Sequence, residues 1–341
     1  MKGMMLKEYG QPFAMVELDQ PPLGPTDVLL KVKACGICGT DVKIRDGLVA
    51  APIVVLPHVP GHEVAGEVVE VGSEVADFRP GDRVTVYLYI TCGECVHCRT
   101  GRENLCLKLK RLGFEVYGGF ADYLVVGARQ LLHIGPDMPF DQAAVLPDAV
   151  AVPYHAIRQQ AKAQVGDKLL IVGLGGLGIH AVQIAKAAGV EVIAADIKEE
   201  KLELAREYGA DHVLNPRQGD PLSTVRELTD GVGVDAVIEN VGSAESIAWT
   251  LPATKNGGKL VIVGYSPGKP FPCDSMGMHY HEWEILGSRL STKQDLAEVI
   301  DLVQRGLVKP LVTRHFPLEA INEALDELAR DEILGRAVII P

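Results

Sequence analysis

Two textures of apolar and polar residues divide the chain. Up to about Pro136, short Val- and Ile-rich stretches at 28–32, 64–71 and 83–88 are broken by Gly and Pro. Apolar runs of that length bounded by turn residues predict an all-β domain of barrel or bent-sheet type. Arg79-Pro80-Gly81-Asp82 is one such turn, with Pro fixing one dihedral and Gly supplying freedom at the next. After about Phe140 the spacing changes. Ala-rich patches at 179–188 and 198–208 read as helices, and they alternate with apolar strands at 168–172, 190–195, 236–239 and 259–263. Strand–helix–strand alternation predicts βαβ units on a parallel sheet. Near Ser288 the alternation ends. A helix is predicted over 293–305, followed beyond Pro310 by irregular strand-like pieces ending at 337–340.

Composition narrows the class. At 341 residues the prior is two domains, and 47% hydrophobic with 23% charged residues is ordinary for a globular protein. A formal charge of −12 argues against nucleic acid, whose phosphates need a basic face. No apolar run approaches the roughly 18 residues of a membrane span. Residues 1–10 lack the apolar core of a signal peptide, so a cytoplasmic location is expected. Seven unevenly spaced cysteines suit metal ligands or reduced thiols better than a disulfide frame.

The stretch 169–172 runs straight into Gly173-Leu174-Gly175-Gly176-Leu177-Gly178 and then into a helix. In that context G-x-G-x-x-G reads as a dinucleotide site. Gly173 allows the tight turn, Gly175 admits a pyrophosphate, and Gly178 lets helix and strand pack closely. The helix N-terminus offers free N–H groups to phosphate. Asp196 closes the next strand, where a carboxylate binds both ribose hydroxyls and repels a 2′-phosphate, favouring NAD over NADP. The competing reading is a glycine-rich turn of an unrelated α/β fold, with Asp196 as a helix cap.

Cys92, Cys95, Cys98 and Cys106 follow C-x2-C-x2-C-x7-C in a polar excursion. Four thiolates hold tetrahedral zinc with no open position, a structural site, and an iron–sulfur cluster is the competing occupant. Cys38-Gly39-Thr40-Asp41 sets a thiol, a hydroxyl and a carboxylate side by side, and Cys35 with Cys38 also makes a C-x-x-C that a redox pair could use. His62, beside Glu63, could join Cys38 in an open zinc site; alone it reads as a packed histidine.

Together, Cys38 to Asp41, Gly61-His62-Glu63, the four-cysteine loop and the glycine turn with Asp196 make the chain resemble the zinc-dependent medium-chain alcohol dehydrogenases over its full length. The resemblance implies an α/β fold: a bent, barrel-like (GroES-like) catalytic domain from 1–150 and 289–341, and a Rossmann domain over 151–288. It implies NAD, one catalytic and one structural zinc per chain, and a small alcohol or carbonyl substrate. Cys38 and His62 would be catalytic zinc ligands, Thr40 would take the alcohol proton, and Asp41 would hold the far nitrogen of His62. Glu63 would be a carboxylate able to enter the zinc sphere. Lys201 would reach the adenosine ribose, Val263 and Gly264 would line the nicotinamide, and Arg336 would touch the pyrophosphate. Leu88 matches a substrate-pocket position; Leu88 and Val263 also fit as plain core residues. Homodimers and homotetramers both occur among such relatives.

Two positions depart from the commoner family pattern. Asp148 stands where many relatives place a third, cysteine ligand, and it reads either as an aspartate ligand or as a helix cap. Lys43 stands where many have a histidine ending the proton relay, and it reads as an ordinary surface residue. The expected activity is reversible oxidation of primary or secondary alcohols. Polyol or threonine-type dehydrogenation, a zinc-free reductase and a non-catalytic zinc-stapled NAD-binding protein are the alternatives.

Overall fold

The apolar run at 28–32 opens a longer strand. In the computed structural model, which describes residues 1–341, that strand spans Asp27–Ile37 and carries Cys35 within it. The chain forms two units: Met1–Asp148 with Thr292–Gln304 and Pro310–Pro341, and Ala149–Ser291 with Arg305–Lys309.

In the first unit a seven-stranded sheet is built on Asp27–Ile37. One edge pairs antiparallel with Glu63–Val71, from Val28↔Val71 to Gly36↔Glu63. The other edge is shared: residues 27–31 meet Tyr123–Gly127, and Cys35, Gly36 and Ile37 meet Arg336–Ile340. Register shifts at Leu29/Leu30 and Val32/Ala34 bend the strand, as bulges do. Beyond these lie Val312–Pro317 on one side, and Arg83–Val86 and Leu131–His133 on the other. The expected turn forms at 79–82: Asp82 N–H donates to the Arg79 carbonyl at 3.1 Å and Gly81 takes φ +93°.

Three expectations shift. The strand predicted over 83–88 ends at Val86, and Tyr89–Ile90 pairs instead with Lys110–Arg111 beside the cysteine lobe. The all-β first stretch also contains a helix, Gly39–Arg45, whose first turn Asp41 closes by accepting the Cys38 N–H at 2.9 Å. The pieces beyond Pro310 include the helix Ile321–Ala329. Its buried Ile321, Ala324 and Leu325 have helical i, i+3, i+4 spacing, which Leu328 and Ala329 continue.

The second unit is a six-stranded parallel sheet in the order His212–Leu214, Glu191–Ala195, Lys168–Val172, Val234–Glu239, Thr254–Ile262, Glu284–Gly287. This is the doubly wound order, with its switch point between Lys168–Val172 and Val234–Glu239. Leu170, Ile193, Val237 and Leu260 from four adjacent strands share one core with Val225, Ile247 and Leu251. Helices Gly178–Ala187 and Glu199–Glu207 form at the patches predicted for them. No helix is long and apolar enough to cross a membrane.

Candidate active site

The register of the first sheet gathers the chemistry at one end. Pairing Gly36 with Glu63 and Ile37 with Ala337 brings together Cys38, just past the first strand, His62 and Glu63 at the start of the second, and Arg336 at the start of the last. Asp148 comes from Leu146–Val150, a wide π-helical turn, and such turns recur at functional sites. One donor atom from each of Cys38, His62, Glu63 and Asp148 lies within 4.8 Å of the others. His62, Glu63 and Asp148 are buried. Gly36 is required here, because a Cβ at that position would overlap the Glu63 carboxylate.

Asp41 is fully buried and faces two ways. Its Oδ2 accepts the Cys38 N–H, and its Oδ1 lies 3.4 Å from His62 Nδ1. That leaves His62 Nε2 facing Asp148 Oδ2 at 3.9 Å. The Cys38 thiol donates to Thr40 Oγ1 at 3.7 Å. Arg336, expected at a pyrophosphate, donates from Nη2 to Asp148 Oδ2 at 2.7 Å and lies 3.3 Å from Glu63 Oε1. Arg336 and Asp148 are 188 positions apart, so no local pattern signals that arrangement. Asp148 does not start a helix; the following Ala151–His155 is flanked by Val150 and has no side-chain cap bond.

Charge state follows packing. Burial lowers His62, but Asp41 and Cys38 outweigh it and hold the imidazole well above its ordinary value. Burial raises Asp148, yet Arg336 and His62 bring it below the usual carboxylate value. Glu63 is driven well up, first by burial and then by Asp148 and Cys38, against the pull of Arg336. Lys43 differs from the surface residue expected: it is half-buried, and burial lowers its pKa despite the opposing effect of Cys38. Cys35 is fully buried and its thiol is pushed up by that burial, which makes it a core thiol rather than half of a redox pair.

The donors fit a metal. Both Glu63 oxygens are buried without a hydrogen-bond partner, and buried polar atoms are normally satisfied. A thiol, an imidazole and two carboxylates at this spacing suit zinc, with a position open when only one carboxylate binds. Leu88 sits in the same unit at 2% exposure, fully packed, with its carbonyl accepting from Leu112 N–H.

The second thiol set is compact. Sγ–Sγ separations are 3.9 Å for Cys92–Cys98 and 3.5 Å for both Cys95–Cys98 and Cys106–Cys92. A tetrahedron of sulfurs at about 2.3 Å from zinc has edges close to these values. Backbone N–H groups of Cys92, Cys95 and Lys108 donate to the sulfurs. Donation from Cys98 and Leu107 takes the Cys95 thiol down to about 6. A cavity of about 880 Å³ opens beside this lobe, lined by Cys98, Tyr87, Tyr89, Arg129 and Lys293, and it includes none of the Cys38 cluster.

In the second unit, Gly173 turns at φ +82°, and a Cβ on Gly178 would strike the Gly173 carbonyl, while Gly175 faces open space. Gly176 and Leu177 complete the turn; the Gly176 carbonyl meets His180 Nδ1 at 2.6 Å. Asp196 is buried at the end of Glu191–Ala195, its Oδ2 accepting Leu174 N–H at 2.8 Å and its Oδ1 accepting Lys198 N–H at 3.0 Å. The acidic residue is thereby locked onto the glycine turn. Lys201 is buried on helix Glu199–Glu207. Val263 and Gly264 donate to the Glu239 carbonyl at 2.9 and 3.0 Å. Asn240, which sequence reasoning passed over, donates from Nδ2 to the Val172 carbonyl at 3.1 Å and so ties this loop to the glycine turn. Its position just past a strand of the parallel sheet was the available signal.

Comparison with known proteins gives a consistent picture. Residues 24–136 match the alcohol dehydrogenase GroES-like domain and residues 176–305 the zinc-binding dehydrogenase domain. The NAD-dependent alcohol dehydrogenase of Saccharolobus solfataricus is 37% identical over 357 aligned positions, covering 100% of both chains. An L-threonine 3-dehydrogenase of Symbiobacterium thermophilum is 34% identical, covering 100% of this chain and 98% of its own. The crystal structure of the alcohol dehydrogenase from Aeropyrum pernix superposes with a TM-score of 0.94 at 34% identity, covering 100% of both.

Proposed function

This chain belongs to the zinc-dependent medium-chain alcohol dehydrogenase family, and from that premise we propose how its residues divide the work of the reaction. The activity is reversible oxidation of an alcohol to an aldehyde or ketone with hydride transfer to NAD. The observation that carries the assignment of residues is the meeting of Cys38, His62, Glu63 and Asp148 donor atoms within 4.8 Å in a buried site.

Cys38, His62 and Asp148 would hold the catalytic zinc, and Cys92, Cys95, Cys98 and Cys106 would hold the structural one. Bound at the first site, zinc supplies a Lewis acid that acidifies the alcohol, and NAD supplies the hydride acceptor. Asp41 fixes the orientation of His62 through Nδ1, which strengthens Nε2 as a ligand. Thr40, in the first turn of Gly39–Arg45, receives the hydroxyl proton. Glu63, whose carboxylate lies with the other three donors, would be the reserve carboxylate for that metal. In the other unit, the turn from Gly173 to Gly178 cradles the pyrophosphate, Asp196 and Lys201 meet the adenosine ribose, and Val263 and Gly264 line the nicotinamide.

The substrate is a small, mostly apolar primary or secondary alcohol. Ile53 and Val55 supply exposed apolar side chains in the loop after Gly39–Arg45. The threonine dehydrogenase relative supports polyols and amino alcohols as the second reading. A cytoplasmic location is supported by seven cysteines without a disulfide. Assembly as a homodimer or homotetramer is supported by Glu284–Gly287 ending the six-stranded sheet, since an edge strand offers backbone groups to a second copy. The test is an NADH-formation screen over small alcohols, diols and L-threonine with zinc content measured on the same protein. Two zincs and turnover of a simple alcohol are expected; activity that survives removal of all zinc refutes the assignment.

A further inference from the structure

Arg336 lies at the centre of the Cys38 cluster without belonging to its donor set. It is buried at the first position of Arg336–Ile340, a strand already held by Ala337↔Ile37 pairing. Nη2 donates to Asp148 Oδ2 at 2.7 Å and lies 3.3 Å from Glu63 Oε1, while Nη1 reaches the Ile37 carbonyl at 3.5 Å. Nε is buried with no hydrogen-bond partner. The guanidinium therefore spends its contacts on two of the four metal donors. Arginine keeps its proton in proteins, so this is a permanent positive charge beside a site for a dication.

Formal charge shows what that does. A zinc dication with a Cys38 thiolate and the carboxylates of Asp148 and Glu63 leaves one net negative charge. Arg336 cancels it. The same guanidinium occupies Asp148 Oδ2, the oxygen that also faces His62 Nε2. We propose that Arg336 is a positioning residue that limits how tightly the Cys38 centre holds its metal, by drawing carboxylate charge away from Asp148 and Glu63. The inference rests on the assignment of Cys38, His62 and Asp148 as zinc ligands. A metal bound less tightly by its protein donors stays more electron-poor, so the residue trades retention of zinc for Lewis acidity.

The experiment uses full-length protein and zinc itself. Zinc dissociation from the weaker of the two sites is measured by competition with a chromophoric chelator, and release is followed over time. Arg336→Gln removes the charge and is expected to lower that dissociation constant at least tenfold (about 1.4 kcal/mol), with slower release. Arg336→Lys keeps the charge but not the forked geometry, and is expected to tighten binding less than Arg336→Gln does. Glu63→Gln, which leaves Arg336 in place and removes a negative charge, is expected to raise the constant at least tenfold, and it provides a test should Arg336→Gln not fold. Equal or weaker binding in Arg336→Gln, equal tightening in Arg336→Lys, or an unchanged constant in Glu63→Gln overturns the inference. A merely structural arginine would move the melting temperature of the chelated protein and leave the zinc constant alone, which also overturns it. A parent protein holding only the four-cysteine zinc defeats the ligand assignment beneath; a parent with two zincs and an unresponsive Arg336→Gln defeats this inference alone.

Discussion

Asp148→Asn separates charge from shape at the metal centre. Asparagine fills the same buried volume and keeps an oxygen that can accept from Arg336 Nη2, now 2.7 Å from Asp148 Oδ2. It removes one negative charge from a donor set that also contains His62 Nε2 at 3.9 Å. Losing an outer hydrogen-bond partner of a metal ligand costs about 10–100-fold in affinity, and loss of an anionic ligand should cost at least that, about 1.4–2.8 kcal/mol. Folding stability should suffer less than in a broken buried ion pair, because Glu63 remains 3.3 Å from Arg336. A loss of about 1–3 kcal/mol is expected for the poorer partner left to the guanidinium. Metal analysis after dialysis against a weak chelator should therefore show zinc falling from two per chain to one, with the four-cysteine site still filled. Alcohol oxidation should fall with it. Asp148→Cys, which restores an anionic donor, should recover the second zinc. A variant Asp148→Asn that keeps both zincs at the parent affinity refutes the role of Asp148 as ligand, whatever happens to activity.

Three further outcomes test other parts of the molecule. Asp196→Gly removes the carboxylate that would repel a 2′-phosphate, so the kcat/KM ratio of NAD to NADP should drop at least tenfold; an unchanged ratio shows that another group sets the preference. Thr40→Val deletes the proposed proton acceptor while keeping the branched shape, and kcat should fall by about 10²–10⁴ at constant zinc content, whereas parent-like turnover removes Thr40 from the relay. Asp211 accepts from Lys186 Nζ at 2.8 and 2.7 Å and from Val192 N–H at 2.7 Å; burial raises its pKa, but these partners take it lower overall. A carboxylate lowered in the fold stabilises above its unfolded value of about 3.9, and that contribution fades as pH falls through the folded value. Asp211→Asn should cost about 1 kcal/mol at pH 7, discounted because the pair is about a third exposed, and the difference should shrink below about pH 4 in paired urea melts. A gap equally wide at pH 3 means the loss is not electrostatic.

What could be read in advance depended on how local each feature is. Strand, glycine turn and helix follow one another between Lys168 and Ala187, so the cofactor turn was visible from spacing alone. The four-cysteine set was equally visible, because all four ligands fall within one excursion of the chain. Helix Ile321–Ala329 stands where strand-like pieces are expected, although Ile321, Ala324, Leu325, Leu328 and Ala329 carry the helical period in the sequence itself. Asp148 drew notice only through family resemblance; nothing in the residues around it announces a wide turn. The contacts of Arg336 were out of reach, because they depend on which strand lies beside which.

That dependence locates where fold and function become one constraint. Asp27–Ile37 shares its far edge between two strands, and only its last three residues pair with Arg336–Ile340. A strand that slips by one residue turns every side chain to the opposite face. Such a slip would move Glu63 away from Gly36 and Arg336 away from Asp148, and it would also exchange buried Leu30 and Val32 for Lys31 and Lys33 on the core-facing side. Hydrophobic packing therefore already opposes the slip. The absent Cβ at Gly36, which makes room for the Glu63 carboxylate, and the irregularity between Val32 and Ala34 specify the register more sharply. Gly36 thus answers to both demands: it makes room for a metal donor and it penalises a slipped sheet, so selection for the site and selection for the register meet at that position.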